Sequence, residues 1–142
     1  MLRAMIDEAM RVTGADMANL QLLDPTSREL RIEAQRGFSE PFLSFFKGVH
    51  DGQVACGTAL TRHQRVIVVD VTKSPIFLGR PALDVMLEAG VRAVQSTPLV
   101  GSTGSTLGVI STHWCSPWHP SDRELLMLHL LARAVGEWIE SD

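Results

Sequence analysis

Only two cysteines, Cys56 and Cys115, occur in the 142 residues, too few for a disulfide framework. No apolar run approaches the length of a membrane span: the longest, Leu125 to Leu131, is interrupted by His129. The first residues, Met1-Leu-Arg-Ala-Met-Ile-Asp-Glu8, carry acid where a secretory signal would be apolar, so a cytoplasmic protein is expected, with no membrane partner. Basic charge has no surplus, since 13 Lys and Arg stand against 16 Asp and Glu in no long block, and nucleic acid is therefore not an expected partner. His113, Cys115 and His119 match no strong zinc spacing, with His50, Cys56 and His63 lying elsewhere, so no metal site is expected. Gly101-Ser-Thr-Gly-Ser105 lacks the lysine of a phosphate loop and stands between two strand-like runs, which makes it a turn. No Ser/His/Asp set or paired-carboxylate signature emerges, and no catalytic residue is assigned.

What is present is a chain of 45% hydrophobic and 20% charged residues, enough to bury a core as one domain over 1–142. Leu2, Met5, Ala9 and Val12 recur at helical spacing over residues 2–13, with Gly14 as the stop. Ala18, Leu20 and Leu22 alternate with Asn19 and Gln21, and after the turn cluster Asp24-Pro-Thr-Ser27 a second alternation runs over 28–36. Ser39 is the expected cap of a short helix carrying Phe42, Phe45 and Phe46, an aromatic plug closing one edge of the core, and 47–53 reads as a loop. A weak helix over 56–63, a short strand over 66–69 and a helical turn and a half ending at Gly90 follow.

The chain centres on Arg92-Ala-Val-Gln-Ser-Thr-Pro-Leu-Val100 and Thr106-Leu-Gly-Val-Ile-Ser-Thr-His-Trp114, which read as a hairpin at the middle of a sheet. Along the second run Leu107, Val109, Ser111 and His113 share a face, with Gly108, Ile110, Thr112 and Trp114 on the other. The polar residues inside these apolar runs need partners, which predicts helices against one face and a partly polar cavity over the other. The last helix opens on a capping box, Ser121 with Glu124, and carries one stripe of Leu125, Leu128, Ala132, Val135 and Ile139 beside a second of Met127, Leu131, Ala134 and Trp138. That width exceeds what one sheet needs, so the first helix or a second copy of the chain is expected to cover the rest.

The order of elements, with Ala18-Asn-Leu-Gln-Leu-Leu-Asp24, Arg36-Gly-Phe38, Cys56-Gly-Thr-Ala-Leu60, Val66-Ile-Val-Val-Asp-Val71, Ala89-Gly-Val-Arg-Ala-Val-Gln-Ser-Thr-Pro-Leu99 and Leu107-Gly-Val-Ile-Ser-Thr-His113, resembles the GAF domains of bacterial sensor proteins over nearly the whole chain. The resemblance implies an α+β fold: a GAF-like (profilin-like) antiparallel sheet of five or six strands, terminal helices on one face, and short helices and loops over a small-molecule pocket on the other. It also implies a non-catalytic regulatory role, in which pocket occupancy biases helices leading to a histidine kinase or another signalling partner. Cyclic-nucleotide members carry an Asn-Lys-Phe-Asp-Glu set that this sequence lacks, and the Cys-His pair of bilin-binding members is replaced by Cys56-Gly57 and Cys115-Ser116. Haem would need an axial ligand such as His113 or His63, and the cofactor, if any, is unknown. Free methionine-(R)-sulfoxide reductase, also a GAF protein, is the alternative through Cys56, but the segment Pro75 to Met86 lacks the further cysteines its mechanism requires.

The expected ligand-binding residues are Asn19, Gln21, Phe38, Phe42, Cys56, Asp70, Phe77, Gln95, Ser111 and His113. A homodimer is expected through Leu125, Leu128, Val135 and the N-terminal helix.

Overall fold

A computed structural model describes residues 1–49 and 53–141. His50 and the part of the expected 47–53 loop at 50–52 lie outside the described residues. The chain runs α1 (Leu2–Thr13), β1 (Met17–Leu23), β2 (Leu30–Arg36), α2 (Glu40–Phe45), α3 (Val54–Arg62), β3 (Val66–Val68), a 3-10 turn (Val71–Lys73), α4 (Pro81–Glu88), β4 (Ala93–Val100), β5 (Thr106–Trp114) and α5 (Asp122–Ser141). The five strands form one antiparallel sheet in the order β2-β1-β5-β4-β3, with the predicted hairpin at its centre.

Strand alternation separates two cores. Ala18, Leu20, Leu99 and Ile110 point back to meet Ile6 and Ala9 of α1 and Leu128, Ala132 and Val135 of α5. Met17, Val94 and Val109 point forward to meet Phe42, Cys56, Leu60, Phe77 and Met86 from the short helices and turns. α1 ends at Gly14, whose left-handed φ of 67° suits a residue without Cβ. The capping box of α5 forms as expected: the Glu124 amide donates to Ser121 Oγ at 3.1 Å and the Ser121 amide to Glu124 Oε1 at 2.9 Å. Ser39 does precede α2, but its side chain makes no capping hydrogen bond.

Leu128 and Val135 are fully buried within the chain's own core, so the expectation that they form a dimer contact is corrected: their stripe faces the sheet. Leu125 is half-buried. The apolar side chains α5 leaves exposed are Leu126, Leu130 and Trp138, one or two positions round the helix.

A register shift sets which side chains of the central hairpin face forward. In the central hairpin Val100 pairs with Thr106 but Leu99 pairs with Gly108, leaving Leu107 as an extra residue on β5. Gly108 then lies so close to β1 that a Cβ there would stand 2.1 Å from the Gln21 carbonyl oxygen. Any side chain at 108 would force these two strands apart.

Candidate functional site

The register lines up polar residues across the front of the sheet. Gln35, Asn19, Ser111 and Ser96 sit opposite one another on β2, β1, β5 and β4, and β3 completes the row with Val66. The adjacent row brings His113 of β5 opposite Met17 of β1 and Val94 of β4, and Gln21 lies on the other side, opposite Val109. Asn19, Gln21, Ser111 and His113 are each no more than 4% exposed.

Over this floor α2 and the residue that ends it place Phe42 and Phe46, α3 places Val54, Ala55 and Cys56, and Phe77 and Met86 close the far side. The enclosed space is about 20 Å³, the size of a single water-sized group. Phe38 stacks on Phe42 with ring centroids 4.2 Å apart and meets His113 edge-on at 4.9 Å, so it backs the wall. Its amide is tied at 3.3 Å to Gln35 Oε1. A far larger open groove, about 900 Å³, runs outside β2 past Arg31, Leu43 and Lys47, and of the polar row it reaches only the half-buried Gln35 at the sheet edge.

Hydrogen bonding inside the cavity is incomplete. Ser96 Oγ and Ser111 Oγ bond each other at 2.6 Å. Asn19 Oδ1, Gln21 Oε1 and His113 Nδ1 are buried without any partner; among the described residues only Arg92 Nε shares that condition, and it lies elsewhere. Each such atom costs about 1–3 kcal/mol unless something bonds it. Burial holds the His113 pKa down to about 3, so its imidazole is neutral at physiological pH. Burial also pushes the Cys56 thiol up to about 11, against hydrogen bonds from the Gln21 side chain and the Gly57 and Cys56 amides. At neutral pH the Cys56 side chain is therefore held as the thiol and not the thiolate.

Seven of the ten predicted residues line the cavity: Asn19, Gln21, Phe42, Cys56, Phe77, Ser111 and His113. Phe38 is the wall behind it. Asp70 is elsewhere: it caps the 3-10 turn by accepting from the Thr72 amide at 3.0 Å and hydroxyl at 2.6 Å and pairs with Arg92 at 3.1 Å. Those hydrogen bonds hold its carboxyl down at about 2.

Gln95 faces the opposite way. It pairs in register with Thr112, donates to Thr112 Oγ1 at 3.0 Å and accepts from Thr97 Oγ1 at 2.5 Å, beneath α5. The reason is the extra residue Leu107. Unbroken pairing from Val100–Thr106 would set residue 95 against Ser111, and a one-residue slip exchanges faces. Ser96 takes that place. It was missed, as were Phe46, Val54, Ala55, Met86 and Val94, because contacts between distant helices and a bulge leave no periodic signal.

Among the described residues no three His, Cys, Asp or Glu side chains converge to hold a metal ion. His63 Nδ1 is 3.0 Å from Thr106 Oγ1, away from the cavity. No helix of the described residues is long and apolar enough to cross a membrane.

The family model for the GAF domain matches residues 1–137. The chain belongs to the GAF domain family. This GAF chain has the fold of a domain from a Sinorhizobium meliloti protein described as a two-component sensor histidine kinase, with 24% identity and a TM-score of 0.81 over 96% of this chain and 87% of that one. It is also similar to the GAF domain region of a protein described as a membrane protein from Geobacter sulfurreducens, at 15% identity and a TM-score of 0.82 over 99% and 91%. A third is the free methionine-R-sulfoxide reductase of Neisseria meningitidis in complex with its substrate, at 20% identity and a TM-score of 0.77 over 95% and 73%. These identities carry the fold alone. No curated protein matches this GAF chain.

Proposed function

We propose that this GAF domain is a non-catalytic sensory or regulatory module of the cytoplasm, and that its front cavity takes a small molecule. The observation that carries the reading is the group of three unpartnered polar atoms, Asn19 Oδ1, Gln21 Oε1 and His113 Nδ1, on side chains that line the front cavity. A protein that kept these positions for stability alone would gain by making them apolar. The space admits one water-sized group, so entry of a larger ligand requires a lining side chain such as Phe42, Phe46, Phe77 or Met86 to move. Such a displacement gives two states with different ligand affinity, which is what signalling through α1 and α5 to a histidine kinase or other output requires.

The exposed Leu126, Leu130 and Trp138 of α5 support a second copy of the chain as the cover of that helix. Light scattering across a concentration series tests this: dimerisation abolished by Leu130→Lys is the expected result. For the cavity, a thermal-shift screen of metabolites is the test. A ligand at 100 times its dissociation constant adds about 2.7 kcal/mol to stability. A screen in which no compound raises the melting temperature would remove the sensory reading.

Cys56 in the cavity wall is the one feature favouring a sulfoxide reductase. Its thiol at about 11 and the absence of any cysteine between 75 and 86 argue against that chemistry. Turnover of free methionine sulfoxide lost in Cys56→Ser would establish it.

A further inference from the structure

Resting on the sensory reading, we infer that Arg65 is the positioning residue through which the cavity wall reaches α5. The cavity and α5 lie on opposite faces of the sheet, so a change in one reaches the other either through the strands or around their edge. Arg65, standing between α3 and the edge strand β3, goes around the edge. Its Nε donates to Thr97 Oγ1 of β4 at 3.1 Å and its Nη2 to the Leu125 carbonyl of α5 at 2.8 Å. Among the described residues no other side-chain hydrogen bond joins 54–68 to α5.

The lever is α3, a helix of 9 residues whose first turn supplies Val54, Ala55 and Cys56 to the cavity wall and whose far end leads to Arg65. A helix held by its own backbone hydrogen bonds moves as a unit, so a shift at Cys56 is delivered to the residues that follow Arg62. Its two ends differ. At the cavity end Val54 holds a φ of 48°, a conformation that β-branched residues avoid, so this end is strained. At the other end His63 Nδ1 meets Thr106 Oγ1 at 3.0 Å and Arg65 makes its two bonds.

The Arg65 guanidinium is half-buried, and among the described residues no carboxylate lies within ion-pairing reach of it; it holds a hydroxyl and a main-chain carbonyl. Losing the Leu125 carbonyl therefore leaves a half-buried cation short of an acceptor, and the bonded and unbonded arrangements differ in free energy. Such a difference is what allows a change at one place to bias another.

A double-substitution cycle tests the inference with the cavity perturbed from within. Ala55→Leu enlarges a wall residue that is 3% exposed, and Arg65→Met keeps most of the stem while removing every donor. Amide hydrogen exchange followed by mass spectrometry reads residues 123–130 of α5, with β1 as the measure of general destabilisation. Ala55→Leu should change α5 exchange by about fivefold or more relative to β1, and in the Arg65→Met background that excess should vanish. A merely structural Arg65 predicts the same α5 excess with and without the guanidinium, because the strands then carry the change. That result would overturn the inference, as would an α5 that Ala55→Leu leaves unmoved. Should Ala55→Leu fail to fold, Cys56→Ala takes its place and the NMR amide resonances of Leu125 and His129 are compared in the same cycle. Shifts that persist in Arg65→Met, or no shifts at all, overturn it too. The failure of this link and the failure of the sensory reading look different. A metabolite that raises the melting temperature beside a failed cycle leaves the sensor without this link, whereas a silent screen beside a successful cycle removes the sensor and keeps the link between wall and helix.

Discussion

Beneath the terminal helices the sheet buries Gln95, Thr97 and Thr112; on its other side it buries Asn19, Gln21 and His113. On the helix side the polar atoms form a chain. Gln95 joins Thr112 and Thr97, and Arg65 donates Nε to Thr97 Oγ1 at 3.1 Å and Nη2 to the Leu125 carbonyl at 2.8 Å, pinning the start of α5. On the cavity side three atoms end without partners. Strand β5 supplies both sets, through Thr112 and His113, while β4 adds Gln95 and Thr97 and β1 adds Asn19 and Gln21, so neither composition nor burial separates them. Satisfied polar groups inside a core serve its architecture, whereas unsatisfied ones beside a cavity mark where a ligand would be welcome.

The largest test of this contrast removes packing from the helix side. Leu128→Ala should cost about 2–5 kcal/mol in urea unfolding, since Leu128 is fully enclosed. A much smaller loss would mean that α5 is only loosely seated on the sheet.

The second uses pH on the cavity side. His113 titrates near 6.5 when unfolded and about 3 when folded, so below pH 6.5 the unfolded chain takes up a proton that the folded one refuses. Stability should be complete above pH 6.5 and fall with acid, by about 2 kcal/mol between pH 7 and 5. His113→Phe should flatten this part of the profile, and an unchanged slope would place the titration in another group.

Smaller, and more pointed, is a matched pair of substitutions. Gln95→Met strands the hydroxyls it bridges and should destabilise by about 1–3 kcal/mol, whereas Gln21→Met removes an unpartnered oxygen along with the side chain's hydrogen bond to Cys56 and should cost clearly less. Equal losses at both positions would erase the distinction between the faces. The smallest effect is chemical. Iodoacetamide near neutral pH should modify exposed Cys115 well before buried Cys56, and mass spectrometry of the native protein should find one adduct.

Much of the fold was legible because it rests on local periodicity. Alternation in 17–23 exposed Asn19 and Gln21 as inward polar residues, and alternation in 107–113 did the same for Ser111 and His113. The capping box announced α5, and Gly14 announced the end of α1. Asp70 was misplaced for a different reason. It closes a strand whose neighbours line the core, but the chain turns there, and its carboxylate is spent on Thr72 and Arg92. Leu128 and Val135 were correctly read as buried but assigned to the wrong cover, since a helical stripe records that something packs on it and not what.

The sequence by itself determined the element order, the central hairpin and the polar character of the cavity floor, all of which follow from repeats of two or 3.6 residues within a single segment. Tertiary structure alone decided that Ser96 and not Gln95 meets Ser111. That choice turns on one unpaired residue, Leu107, and on the close approach of β1 to Gly108. It also decided which polar atoms remain without partners, because a hydrogen bond between strands or from a distant arginine is a property of register and packing, which no short stretch of chain encodes.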